Sequence, residues 1–156
     1  MESDLGSADL LTVFSELIRL ETELWDAVEG RVRTQHGVAL GSYEVMRVIA
    51  RQPGCRVQDI AGALSITVGG VSKIIDRIEA AGYCARRVNP ADRRSSVIEL
   101  TPSGGRLLGE LTRTVEQELA RRLGPALPGG SAGELTRTLT GLRAAVRAAG
   151  PEAAAS

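Results

Sequence analysis

The sequence predicts a mainly α fold of the α+β class, in which a helix-turn-helix followed at once by a two-stranded β hairpin is flanked by long amphipathic helices. Three observations carry this prediction. Two short apolar stripes of helical period lie three residues apart in mid-chain, the pattern then becomes extended, and stripes several turns long occupy both ends.

The first long stripe places Leu10, Phe14, Leu17, Ile18, Leu24, Trp25, Val28 and Val32 at helical spacing, with acidic residues between them, and stops at Gly37. A second helix is expected to begin near Ser42 as N-cap, to turn Met46 and Ile49 inward, and to end at Pro53-Gly54. Val57, Ile60, Ala61 and Leu64 then form one short stripe, and Val68, Val71, Ile75 and Ile78 the next, joined by Ser65-Ile66-Thr67. Thr67 has the side chain to cap the second of these helices, and Gly82 is placed to end it.

From Cys84 to Val88 and from Ser95 to Thr101 the chain reads as two strands around the turn-rich Asn89-Pro90-Ala91-Asp92, with Arg86, Arg87, Arg93 and Arg94 in the arms and tip. Thr101-Pro102 opens a long helix with Thr as N-cap and Pro at the first helical position, where its missing N–H costs nothing. Its stripe runs through Leu107 or Leu108, Leu111, Val115 and Leu119 to a stop at Gly124-Pro125. Ser131 with Glu134 reads as a capping box for a last helix carrying Leu135, Leu139, Leu142 and Val146.

The 156 residues suffice for one domain with helical extensions. No stretch approaches the roughly 20 apolar residues a membrane span needs, and the acidic start does not resemble a secretory signal, so a cytoplasmic protein without membrane partners is expected. Cys55 and Cys84 are the only cysteines and lie in no CxxC pair, which supports neither a disulfide framework nor a structural zinc site, and no cofactor is expected. The net charge is zero, but residues 1–46 hold 3 basic and 9 acidic side chains whereas 47–106 hold 10 and 5. A basic middle segment presents a positive face to phosphates whatever the total charge.

The second helix of a helix-turn-helix lies in the major groove, so its outer face needs small or hydrogen-bonding residues. Here Ser65, at the turn, and then Thr67, Gly69, Gly70, Ser72, Lys73 and Arg77 offer them, with Asp76 among them. Gly69 and Gly70 each cost on the order of 1 kcal/mol against Ala in an exposed helix, which suggests close approach to a partner. A merely solvated polar face is the alternative. The arginine-rich hairpin that follows suits an adjacent minor groove, through Arg86, Arg93 and Arg94, and Asp92 is expected to structure the tip by pairing with Arg94. No P-loop, GxSxG or HExxH motif is present, and no enzyme is expected.

The run Asp92-Arg93-Arg94-Ser95-Ser96-Val97-Ile98-Glu99-Leu100-Thr101 resembles the wing signature of the MarR family, D-x-R followed by an apolar residue, any residue and Leu-Thr. Residues 64–82 are similar to that family's recognition segment, and the likeness extends over about residues 10–149. The resemblance implies a winged helix-turn-helix at 42–101, a helical dimerisation region from 1–41 and 102–149, and a flexible tail at 150–156. It implies a homodimeric repressor that binds a pseudo-palindromic site in double-stranded DNA and is released by a small ligand, often a phenolic anion, or by oxidation. Arg56 stands where a Thr or Ser cap is usual in the family, which would free it to reach a phosphate. By the same resemblance Trp25, His36, Tyr43 and Arg47 line the ligand cleft. Cys55, at a helix start, and Cys84, at the root of the wing, are the candidate redox residues, with inert packing as the alternative reading. A dimeric winged-helix module that binds protein instead of DNA is the competing function.

Overall fold

The computed structural model describes residues 7–150. Apart from Gly150, the tail expected at 150–156 lies outside the described residues. The chain divides into two compact units at Glu118 and Leu119. In the first unit α1 (Ser7–His36), α2 (Leu40–Arg51), α3 (Val57–Leu64) and α4 (Val68–Ala80) precede the strands β1 (Cys84–Val88) and β2 (Ser96–Leu100). α5 (Pro102–Leu123) begins in that unit and runs into the second, which continues through a 3-10 turn at Gly124–Ala126 to α6 (Ser131–Ala149). Among the described residues no helix is long and apolar enough to cross a membrane.

The core of the first unit is made by the residues that repeat at helical spacing. Val32 of α1, Val45 and Met46 of α2, Ile60 of α3, Val71 and Ile75 of α4, Ile98 of β2 and Leu111 of α5 are all sealed from solvent. Burying a side chain of this size contributes roughly 1.5–3 kcal/mol each. The outer parts of the long stripes behave differently. Leu10, Phe14, Leu17, Ile18 and Trp25 on α1 stay exposed in the single chain. Val68, expected in the stripe of α4, is also exposed, because it occupies the first position of its helix, beyond the reach of the core.

Two caps differ from the sequence expectation. α2 starts at Leu40, not near Ser42, and Ser42 is a buried residue of its first turn. The orphan amide there is satisfied from another helix: Glu29 of α1 accepts the Leu40 N–H at 2.5 Å, placing a carboxylate against the positive end of the helix dipole. Ser131 is the first helical residue of α6, and its hydroxyl donates to the Pro128 carbonyl at 2.6 Å instead of capping. The other caps form as read. Thr67 accepts from Gly70 N–H, and Thr101 from Gly104 N–H, each at 3.0 Å.

β1 and β2 pair antiparallel, with Cys84 opposite Leu100, Arg86 opposite Ile98 and Val88 opposite Ser96. The free edge of β2 is tied to the α2–α3 connection where Ile98 N–H donates to the Cys55 carbonyl at 2.9 Å. At the root, Thr101 N–H donates to the Tyr83 carbonyl at 3.0 Å, and the Thr101 and Ser103 hydroxyls both donate to the Gly82 carbonyl. These bonds draw the first turn of α5 so close that a Cβ on Gly104 would lie 1.9 Å from the Tyr83 oxygen. At Gly105 the same atom would meet open space. Gly104→Ala is therefore expected to lower the unfolding free energy by about 3 kcal/mol in urea denaturation, while Gly105→Ala gains up to about 1 kcal/mol. Equal stability of the two variants would refute the close approach.

Candidate nucleic-acid interface

α3 and α4 are separated by a turn whose shape depends on Ser65, which caps α3 in the left-handed region at φ 56°. Thr67 returns to extended backbone and starts α4. The two glycines that follow have different reasons. A Cβ on Gly70 would sit 3.1 Å from the Thr67 Oγ1 that its own N–H bonds, so the cap disfavours a side chain there. Gly69 faces open space, and its bareness has no internal cause. Further along α4, Ser72 is half-buried, while Lys73, Asp76 and Arg77 are exposed.

The basic residues fall into two groups. Arg86 donates to Asp76 and to Glu79, both at 2.6 Å, while its backbone N–H also reaches Glu79. The guanidinium therefore clamps β1 to α4 instead of projecting as an arm. Hydrogen bonds to Asp76, then to Glu79, hold its pKa above the usual arginine value, against the opposing effect of burial. Arg87 pairs with Glu99 across the hairpin. Arg56 stands at the start of α3, its backbone N–H donating to the Asp59 carboxylate at 2.8 Å and its Nε 3.5 Å from the same oxygen. Asp59 thus does the capping for which the sequence shows no Ser or Thr, and Arg56 is turned toward that carboxylate. Lys73, Arg77, Arg93 and Arg94 are exposed and carry no ion pair among the described residues.

The tip of the hairpin is ordered by short-range bonds. Asp92 accepts the backbone N–H of Arg94 at 3.0 Å, so the expected carboxylate–guanidinium pair is replaced by a turn that leaves the Arg94 side chain free. Asn89 accepts from Ala91 N–H and donates to Ser95. In this form Asp92 shapes the loop and Arg93 and Arg94 project from it.

The four residues expected around one ligand cleft are distributed over different places. Trp25 lines a cavity of about 560 Å³ together with Glu21, Asp26, Glu44, Leu64, Ile66 and Ile74. His36 lines another of about 470 Å³, beside Arg33, Arg77 and Tyr83, and its Nε2 lies 2.8 Å from Thr114 Oγ1. Tyr43 is buried. Arg47 lies over the Tyr43 ring, 5.4 Å from its centre, and pairs with Glu44 at 3.0 Å. Trp25, placed on an apolar stripe, is 42% exposed because it faces this cavity. Sequence reading missed Ile66 and Ile74 as cavity residues; both looked like parts of the helix-turn-helix, and only the approach of α1 gives them a second role.

Both cysteines are buried. The Cys55 thiol is raised by burial and then by Asp59, although its own backbone hydrogen bond opposes this. Burial, and secondarily Glu79, pushes Cys84 up to about 11, against the lowering effect of Arg86. Its S–H donates to the Ile75 carbonyl. These surroundings disfavour thiolate, the reverse of what a redox sensor needs. Among the described residues no three His, Cys, Asp or Glu side chains gather as metal ligands.

A family model described as "MarR family" matches residues 39–96. A Thauera aromatica protein, named provisionally as the transcriptional regulatory protein for the hcr operon, is 30% identical over 109 residues, which is 68% of this chain and 66% of that protein. The chain spans about half to two thirds of the length of the first curated relatives it matches. Among solved structures, the transcriptional regulator BldR of Sulfolobus solfataricus superposes with a TM-score of 0.81 at 17% identity, over 90% of this chain and 99% of its own. The repressor CouR, solved bound to a 23-mer DNA duplex, gives 0.78 at 22% identity, over 90% of this chain and 99% of its own. CouR from Rhodococcus jostii has also been solved bound to p-coumaroyl-CoA.

A raised thiol pKa means that the folded protein holds the Cys84 proton more tightly than the unfolded chain, whose thiol titrates near 9.0. The contribution to stability is present below that pH and is lost as pH rises toward about 11. At pH 8 the shift lowers the thiolate fraction roughly a hundredfold. Labelling of native protein by a disulfide reagent at that pH should be slower than in denaturant by at least this factor. Rapid stoichiometric labelling of the native state would restore the redox reading.

Proposed function

The chain belongs to the MarR family, and on that premise we propose that it is a cytoplasmic, homodimeric transcriptional repressor that reads a pseudo-palindromic operator and releases it on binding a small ligand. One observation carries the reading: Lys73 and Arg77 on α4 and Arg93 and Arg94 at the hairpin tip are exposed without ion pairs among the described residues. α4 has the bare Gly69 at its leading turn for approach to base edges, and the tip arginines suit an adjacent groove. Such residues exchange condensed counterions for direct contacts with phosphate. A protein with this interface functions by occupying DNA, not by catalysis.

Dimerisation is supported by uncovered apolar surface on two helices. Leu10, Leu11, Phe14, Leu17 and Ile18 on α1 are exposed, as are Leu135, Leu139 and Leu142 on α6. Stripes of this length on a soluble protein mark surfaces that another chain covers. A two-fold dimer would set two α4 helices on half-sites about 34–36 Å apart.

Fluorescence anisotropy over a range of salt, comparing the DNA upstream of its own gene with unrelated DNA of equal length, tests the function. A preference of roughly a thousandfold is expected. Lys73→Ala and Arg77→Ala should each flatten the salt dependence by about one unit of log–log slope, and Arg94→Ala should weaken binding at least about tenfold. Arg86→Ala should leave the slope unchanged, because its charge is already neutralised by Asp76 and Glu79. No preference for any DNA at any salt would favour the protein-binding alternative. In sedimentation, the parent should be a dimer at micromolar concentration and the paired Leu135→Asp, Leu142→Asp variant a monomer; a monomeric parent would remove the two-fold operator.

A further inference from the structure

Two cavities of the first unit, one beside Trp25 and one beside His36, differ in charge, and this difference names a ligand class. No basic side chain lines the cavity beside Trp25. Its apolar lining is the Trp25 indole with Leu64, Ile66 and Ile74, and its polar rim includes the carboxylates of Glu21, Asp26 and Glu44. Glu44 is paired with Arg47 at 3.0 Å. Glu21 and Asp26 have no ion-pair partner among the described residues. The His36 cavity, by contrast, is bordered by Arg33 and Arg77.

We propose that the Trp25 cavity is a binding site for a small aromatic organic cation, an amine or an onium compound. Its volume of about 560 Å³ lies within the range of small-molecule sites. A cation placed over the indole face is attracted by the ring quadrupole, and the two unpaired carboxylates add Coulomb attraction that is stronger beside apolar walls than in open water. An anion of the same shape meets repulsion from both. A neutral molecule would shield the carboxylates from water without replacing their hydration. The acidic rim also sets this cavity apart from a site for a polyanion such as the p-coumaroyl-CoA bound by CouR. Ile74 lies next to Lys73 on α4, so the occupant touches the helix that carries the proposed DNA contacts. Only this regulatory consequence rests on the repressor reading; the binding site does not.

Trp25 is the one tryptophan of the sequence, and its fluorescence therefore reports on this cavity. The full chain is titrated with tetraphenylphosphonium and, separately, with tetraphenylborate, an anion of nearly the same shape. A saturable change with the phosphonium is expected, at least about tenfold tighter than with the borate, and weakened about tenfold by the paired Glu21→Gln, Asp26→Asn substitution. Both side chains are exposed, and circular dichroism verifies that the variant is folded. Equal affinity for the two ions, preference for the borate, or phosphonium binding insensitive to the paired substitution would overturn the proposal. The upstream-DNA anisotropy assay is run on the same samples. Charge discrimination without specific DNA binding would sink the repressor reading and uphold the cation site, whereas specific DNA binding without charge discrimination would do the opposite.

Discussion

The hairpin is oriented by a contact with no side chain in it, where the first turn of α5 presses Gly104 against the Tyr83 carbonyl. Around that contact the end of α4, the start of β1 and the end of β2 are gathered by three donors onto the Gly82 and Tyr83 carbonyls. A second anchor lies further up β1, where Arg86 spans Asp76 and Glu79 of α4. A strand held to a helix at two points loses the freedom to rotate about either. The relation between α4 and the hairpin is thus a property of the fold and does not have to be created when a partner binds, which lowers the ordering cost of recognition.

The electrostatics follow from this division of labour. A chain of zero net charge balances its 19 cations against 19 carboxylates, and several of the cations hold the structure together. Arg56, Arg86 and Arg87 each lie against a carboxylate of their own unit. On the winged part of the chain the exposed cations without an ion pair among the described residues include Lys73 and Arg77 of α4 and Arg93 and Arg94 of the hairpin tip, while α1 carries six carboxylates against three arginines. Field at a surface depends on which charges are left without a nearby opposite, and counting arginines along the sequence does not show that.

The helices, the three-residue turn and the hairpin were legible because each is decided by local period and by punctuation: Thr67, Gly82 and Thr101-Pro102 mark boundaries within a few residues. What escaped was set by partners distant in sequence. Ser42 has the chemistry of a cap but lies in the first turn of α2, where Glu29 from the preceding helix supplies the acceptor. Ser131 is the exception, its hydroxyl taken by the Pro128 carbonyl only three residues earlier. Arg86 reads as one more basic residue of an arginine-rich ribbon until β1 is laid beside α4. The expected cleft residues separated because Trp25 and His36 lie three turns apart on α1, and different segments approach it at each level. The cysteines were read from their position near helix and strand starts, whereas burial controls their chemistry.

The bonds that shape the hairpin tip all close within residues 89–95: Asn89 to Ala91 and Ser95, Asp92 to Arg94, and Ser95 back to Asp92. None of them reaches a helix. Among the described residues the hydrogen bonds of the tip thus make a self-closing unit that continues the strand ladder from its last pair, Val88 and Ser96. A segment of the same span that closes its own turn meets the hydrogen-bonding demands of the scaffold, so what ties the loop's sequence down is the pair of side chains it presents outward, Arg93 and Arg94, and not the core beneath it.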